Sequence, residues 1–155
     1  MSAIRERYMQ QCIELAKEAL ENGNPPVGSL IIHDDVIIGK GIESGKTTGD
    51  ITNHAEIEAV RDAIERGNQH LLSHSEMYTT HEPCIMCSYV IRHHRIAHII
   101  YGASVDSIGG HTSQFNLMDT QSIPQWGPKP QVTPGILESE CRALSMMFVR
   151  QMNAI

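Results

Sequence analysis

The sequence lacks the features that define several large classes of protein. It has only four cysteines, and because two of them share one short motif, they do not form a framework of disulfides. No run of about twenty apolar residues is present to span a bilayer. The first residues are charged and do not form the apolar core of a signal peptide. We therefore expect a soluble, cytoplasmic protein that makes no membrane contact.

Basic residues are also few. The chain has 12 Lys and Arg against 18 Asp and Glu, which gives a formal net charge of -6. Because a surface that holds a phosphate backbone is normally basic, nucleic acid is an unlikely main partner, although a local basic patch stays open. No internal repeat is present, and 155 residues is the length of one ordinary domain. We predict a single domain over residues 1–155.

The spacing of apolar residues predicts alternating helices and strands. The predicted helices cover residues 3–22, 53–66, 83–95 and 135–152, and the predicted strands cover 27–33, 36–40, 76–80 and 96–101. Residues 102–134 are rich in Gly, Ser, Gln and Pro, so we expect little long regular structure there. Met146 and Met147 are predicted to fill the core. The alternation predicts an α/β sandwich with helices on both faces of a mixed sheet.

Two short motifs carry the chemistry of the chain. His54-Ala55-Glu56 and Pro83-Cys84-Ile85-Met86-Cys87 together supply one histidine, two cysteines and a carboxylate. Three ligands, His54, Cys84 and Cys87, leave zinc one open position, which is typical of catalytic zinc sites. Glu56 is then free to act as a proton shuttle for a water molecule at the open position.

Each motif has a structural alternative when it is taken alone. Asn53 and Glu56 fit a capping box, in which Asn53 caps the helix and the side chain of Glu56 reaches back to the Asn53 amide. The Cys-x-x-Cys motif fits a redox pair or half of a four-cysteine site, but Cys12 and Cys141 lie far away without paired spacing. The combination is more specific, because H-x-E followed by P-C-x-x-C is the signature of zinc deaminases that act on nucleobases.

These motifs resemble those of the cytidine and deoxycytidylate deaminase superfamily, in the branch of guanine deaminases, fungal-type cytosine deaminases and tRNA adenosine deaminases. Pro26-Val27-Gly28 and Tyr101-Gly102-Ala103 extend the likeness. The resemblance implies a three-layer α/β/α sandwich with a five-stranded mixed sheet, one zinc ion per chain and a homo-oligomer, with a dimer as the expected form. We also expect the backbone amide of Cys84, at a helix start, to stabilise the tetrahedral intermediate of deamination.

The resemblance and the departures from it indicate the substrate-binding residues. By resemblance, Val27 and Glu82 line the pocket. His81 stands where relatives commonly carry an apolar or small residue, so it either contacts the substrate or packs. Glu43 stands where relatives usually carry an asparagine that hydrogen-bonds the base or ribose. Since a carboxylate only accepts hydrogen bonds, Glu43 favours a substrate edge with N–H groups, unless it is a solvated loop residue.

The segment after residue 102 offers candidates for a lid. Phe115, Trp126 and His111 carry flat side chains that either stack over the substrate or pack in the ordinary way.

The predicted function is zinc-dependent hydrolytic deamination, which releases ammonia from a small heterocycle of the guanine, cytosine or cyclic-guanidine type. The alternative is a tRNA-specific adenosine deaminase, which the net charge, Glu43 and the lack of a basic tail beyond Arg150 oppose. A third alternative is a non-catalytic zinc-binding partner of a deaminase, which the intact Glu56 opposes.

Overall fold

Helices and strands alternate along the chain in the computed structural model, which describes residues 2–154. The helices are α1 (Ser2–Glu21), α2 (Gly45–Thr48), α3 (Ala55–Glu65), α4 (Ile85–His93) and α5 (Glu138–Asn153). The strands are β1 (Gly28–His33), β2 (Val36–Ile42), β3 (Glu76–His81), β4 (His98–Ala103) and β5 (Gln131–Thr133). Short 3-10 turns cover Gln69–His74 and Pro124–Trp126. The predicted elements agree with these bounds to within a few residues, apart from α2 and β5, which the apolar pattern did not predict.

The five strands form one mixed sheet in the order β2-β1-β3-β4-β5. β1 is antiparallel to both β2 and β3, whereas β3, β4 and β5 run parallel to one another. One apolar cluster joins α1 and α5 to the sheet, and a second joins α3 and α4 to it. The three-layer α/β/α sandwich with a five-stranded mixed sheet is therefore confirmed.

A glycine in β2 lets α3 approach the sheet closely. A Cβ atom built on Gly41 would lie 1.8 Å from the carbonyl oxygen of Ala55, the first residue of α3. No side chain fits in that space, so glycine is required there. The contact fixes the start of α3 against the sheet, and with it His54 and Glu56 of the first motif.

Helix α5 differs from its prediction on one side. Cys141 and Leu144 are buried and Phe148 packs partly against the same core, but Met146 and Met147 are 57% and 47% exposed. The prediction that these two methionines fill the core is wrong, because both lie beside the stripe that faces the sheet. None of the helices among residues 2–154 is long and apolar enough to cross a membrane.

Candidate active site

The starts of α3 and α4 bring together the three residues of the ligand trio, His54, Cys84 and Cys87. His54 is the N-cap of α3, Cys84 is the N-cap of α4, and Cys87 lies in the first turn of α4. The Nδ1 atom of His54 lies 3.5 Å from Sγ of Cys84 and 3.4 Å from Sγ of Cys87. All three ligand atoms lie within 4.8 Å of one another.

These separations fit a zinc ion. Zinc bonds of about 2.3 Å to sulfur and about 2.0 Å to nitrogen, at tetrahedral angles, hold neighbouring sulfur and nitrogen ligands about 3.5 Å apart. Two sulfurs and one imidazole nitrogen are also a donor set that zinc prefers. With three protein ligands, the fourth position remains open to the pocket.

The three side chains of the ligand trio shift one another's pKa values, because they lie within hydrogen-bond distance. The hydrogen bond between Cys84 and Cys87 has the largest effect on Cys84 and, together with the bond between Cys84 and His54, lowers the pKa of Cys84 to about 4. The hydrogen bond to Cys84 raises the pKa of His54 to about 9. The bond to Cys84 and burial raise the pKa of Cys87. Zinc must displace the protons of His54 and Cys87, so its affinity rises with pH.

Glu56 is buried beside the ligand trio, with only 4% of its surface exposed. Its Oε1 atom accepts a 2.8 Å hydrogen bond from Thr79, whose hydroxyl in turn accepts one from Ser29. Its Oε2 atom lies 3.2 Å from Sγ of Cys87. Burial raises the pKa of Glu56, which brings it closer to the range where a carboxylate both takes up and releases a proton.

The capping-box alternative for Glu56 does not hold. The N-cap of α3 is His54, and Asn53 bonds instead to Thr48 and Arg61. Since the carboxylate of Glu56 bonds to Thr79 and Cys87, it does not cap the helix.

A pocket of about 380 Å³ opens over the ligand trio. Its polar floor contains Glu43, Glu56 and the ligands His54 and Cys84. Apolar side chains form two walls: the loop wall of Val105 and Ile108, which follows β4, and the helix wall of Phe148 and Val149, on α5. The remaining lining residues are Pro25, Pro26, Val27, His81, Glu82 and Ser145.

Glu43 lies on the floor of this pocket and is only 5% exposed. Its Oε2 atom accepts a 3.1 Å hydrogen bond from the amide of Gly45. Its own amide donates to the carbonyl of Val27, which ties it to the start of β1. Burial raises its pKa. The alternative that Glu43 is a solvated loop residue is therefore wrong.

His81 and Glu82 line the pocket, but their polar atoms bond to other parts of the protein. The ring nitrogens of His81 lie 2.9 Å from the Thr80 hydroxyl and 2.6 Å from the Ser145 hydroxyl. The carboxylate of Glu82 accepts hydrogen bonds from residues 105, 111 and 112. Neither side chain directs a free polar group to the substrate.

The three lid candidates do not line the pocket. Phe115 is 45% exposed. Trp126 is buried, and its ring centre lies 5.0 Å from Cζ of Arg92. His111 lies 2.9 Å from the Tyr101 hydroxyl, through Nδ1. The loop wall and Val149 line the pocket but were not predicted from the sequence, because no local pattern indicates which part of a long loop folds back over a site.

Comparisons with known proteins agree with this geometry. A family model described as the cytidine and deoxycytidylate deaminase zinc-binding region matches residues 2–103. A tRNA-specific adenosine deaminase of Streptococcus pyogenes is 33% identical over 145 residues, covering 93% of this chain and 89% of that protein. One of Aquifex aeolicus is 35% identical over 154 residues, covering 97% and 98%.

Solved structures give the same result. A structure from a study of A-to-I editing by tRNA:A34 deaminases at the wobble position superposes with a TM-score of 0.80. It is 30% identical and covers 89% of this chain and 98% of its own. A guanine deaminase from Nitrosomonas europaea, at 21% identity, has a TM-score of 0.77 over 92% of this chain and 83% of its own. That second likeness concerns the fold.

The fold and the ligand trio define a zinc-dependent hydrolase that acts on C–N bonds. The chain belongs to the cytidine and deoxycytidylate deaminase family. Its His/Cys/Cys group is the site for one zinc ion.

Proposed function

We propose that this chain deaminates adenosine in tRNA. The observation that carries the proposal is its likeness to tRNA-specific adenosine deaminases, at 33–35% identity along nearly the whole chain. From the sequence alone, a small free heterocycle ranks first and tRNA second, because net charge, Glu43 and the lack of a basic tail oppose tRNA. The relatives reverse this order, and net charge does not report the local surface around a pocket.

The residues of the pocket support a hydrolytic mechanism. Zinc held by the ligand trio would lower the pKa of a water molecule so that it can attack near neutral pH. Oε2 of Glu56 takes the proton that this water loses and delivers it to the ring nitrogen beside the amino-bearing carbon. Glu56 then takes the proton of the hydroxyl group that has added to this carbon and passes it to the leaving amine as the C–N bond breaks, so the products are the oxo base and ammonia.

The backbone contributes to the same step. Cys84 is the N-cap of α4, so its amide makes no hydrogen bond within the helix. We expect it to donate a hydrogen bond to the oxygen that becomes negative during the attack. Thr79, which donates to Oε1 of Glu56, keeps the carboxylate turned with Oε2 toward the ligand trio.

A second candidate substrate is supported by Glu43. This buried side chain brings a carboxylate to the pocket floor, where a substrate edge with N–H groups would pair with it. A free base of the guanine type or a cyclic guanidine has such an edge. Guanine deaminases are also among the structures with the same fold.

One assay separates the two candidates. Ammonia release is measured for an anticodon stem-loop RNA that contains adenosine, and for free adenine, guanine, cytosine and a cyclic guanidine. We expect the RNA to be deaminated with the highest kcat/KM, with inosine as the product. Turnover of a free base with no turnover of the RNA would overturn the tRNA proposal and leave the second candidate.

We also infer that the enzyme is a homo-oligomer, most simply a dimer, formed by one domain over residues 1–155. Large exposed apolar side chains on α4 and α5 support this inference, among them Tyr89 at 54% and Val149 at 55% exposure. Light scattering at micromolar concentration tests it. We assign it to the cytoplasm, where a reducing environment keeps Cys84 and Cys87 available as thiolates.

A further inference from the structure

Two adjacent residues at the end of β3 hold elements that lie on different sides of the pocket. His81 is the last residue of β3, and Glu82 follows it, two positions before Cys84. Successive side chains in extended backbone point to opposite sides. His81 accordingly bonds to α5, whereas Glu82 bonds to the loop after β4.

His81 ties α5 to the sheet. Its ring bridges Oγ1 of Thr80 and Oγ of Ser145, and Oγ1 of Thr80 also accepts a hydrogen bond from the amide of Gly28 in β1. Burial lowers the pKa of His81 to about 4, so the bridging ring is neutral near pH 7. Ser145 lies three and four residues before Phe148 and Val149, on the same side of the helix. Its contact with His81 therefore fixes the helix wall.

Glu82 ties down the loop that carries the other wall. Its carboxylate accepts bonds of 2.8 Å from the amides of Val105 and His111, and of 2.7 and 2.6 Å from the amide and hydroxyl of Thr112. A Cβ atom on Gly109 would lie 2.0 Å from Oε2 of Glu82, so the loop closes tightly around the carboxylate. Val105 and Ile108 belong to this loop.

The same loop also contacts the metal-binding turn. Gly109 pairs with Cys84 in an isolated antiparallel bridge, and the amide of Gly110 donates to the carbonyl of Pro83 at 2.8 Å. The loop wall is thus bonded both to Glu82 and to the backbone next to a zinc ligand.

We propose that His81 and Glu82 are positioning residues, which set the helix wall and the loop wall at a fixed distance from the zinc ligands. Both walls lie outside the sheet, and these side-chain bonds act together with the apolar packing of α5 and the backbone bonds of the loop to hold them. The proposal rests on the proposed function in one respect, namely that the base binds between the two walls. It gives His81 and Glu82 a role in substrate fit without direct contact through their polar atoms.

Amide hydrogen exchange on the zinc-loaded protein tests the proposal without any substrate. In Glu82→Gln, the amides of residues 105, 111 and 112 should exchange about tenfold faster or more, because a charge-assisted acceptor is lost. In Ser145→Ala, the amides of residues 146–150 should exchange about three- to tenfold faster. Glu140→Gln and Ser139→Ala, at exposed positions of α5, are the matched controls and should match the wild type.

Kinetics and a rescue variant complete the test. With the best substrate of the panel, both variants should raise KM by about three- to tenfold, with a smaller change in kcat and unchanged zinc content. Ser145→Thr, which keeps the hydroxyl, should restore both exchange and KM. If Glu82→Gln does not fold, Thr112→Val replaces it. This variant removes only the hydroxyl bond to Glu82 and should speed hydrogen exchange at the same three amides by a smaller factor.

If the amides of both walls exchange at the wild-type rate in these variants, the proposal is overturned. A fall in kcat with an unchanged KM would also overturn it, since that would assign the residues to the chemical step. Faster exchange together with no turnover of any panel member would leave the positioning role intact and remove the proposed function, so the two failures are distinguishable.

Discussion

The reacting end of the pocket and its walls are built in different ways. The ligand trio and Glu56 lie in the first turns or caps of α3 and α4, which pack directly on the sheet. The walls come from α5 and from a loop with little regular structure, and side-chain bonds over long sequence distances hold them. The chemistry therefore depends on local elements, whereas the fit of the substrate depends on long-range contacts.

Two buried charges of opposite sign order the segment between β4 and β5. Glu82 accepts hydrogen bonds from backbone amides near its start, and Arg92 of α4 donates to the carbonyls of Leu117, Met118 and Thr120. A carboxylate satisfies N–H groups and a guanidinium satisfies C=O groups, so the two together replace the ladder that a strand or helix would supply. The segment is ordered although its composition predicts a loop.

The largest expected effect is at the reacting end. Glu56→Gln removes the proton shuttle and should lower kcat by about 10²- to 10⁴-fold, with the fold and zinc content unchanged. Ammonia release and elemental analysis measure the two quantities. The control is Glu65→Gln, at an exposed position of the same helix, which should keep full activity. A Glu56→Gln protein that turns over at the wild-type rate would remove the mechanism.

The next effect concerns the segment between β4 and β5. Arg92→Met leaves three carbonyls without their donor and should lower the free energy of unfolding by about 2–4 kcal/mol. Denaturant unfolding of the zinc-loaded protein measures it. Arg66→Met breaks an exposed pair with Asp62 and should cost about 0.5 kcal/mol or less. Equal losses in the two variants would mean that Arg92 does not order the segment.

A smaller effect is expected on the pocket floor. If the carboxylate of Glu43 accepts hydrogen bonds from the substrate, Glu43→Asn should lower kcat/KM on the native substrate by about 5- to 150-fold, or 1–3 kcal/mol. It should also change the preference among the substrates of the panel. Glu43→Ala should lower kcat/KM on the native substrate without raising it on another. Unaltered kinetics in both variants would assign selectivity to the walls.

The last prediction is a pH dependence of stability that comes from His81, and it is measured as a slope against pH. Its pKa is lowered to about 4 by burial, from an ordinary value of 6.5, so the unfolded chain binds a proton first as the pH falls. Stability should therefore decrease between about pH 6.5 and pH 4, by at most about 1.4 kcal/mol per pH unit from this one group. His81→Gln should flatten this part of the curve. Identical curves for the two proteins would contradict the pKa shift.

The sequence was sufficient for the α/β class, for four of the five strands, for the four longer helices and for the reacting end. Cys84 and Cys87 are three residues apart, and His54 and Glu56 are two apart, so one helix turn fixes each pair. The pocket walls could not be predicted in the same way. Nothing local to Phe115 or Trp126 indicates that Arg92 draws the segment away from the pocket, and nothing local to Ile108 indicates that Glu82 brings it there.

Chemistry and selectivity depend on different residues of the pocket, and one ratio distinguishes the two most sharply. The ratio of kcat/KM for the two best substrates is measured in the wild type, Glu56→Gln and Glu43→Asn. We predict that Glu56→Gln lowers both values by the same large factor and leaves the ratio unchanged, whereas Glu43→Asn changes the ratio at constant zinc content. A changed ratio in Glu56→Gln, or an unchanged ratio in Glu43→Asn, would contradict the account.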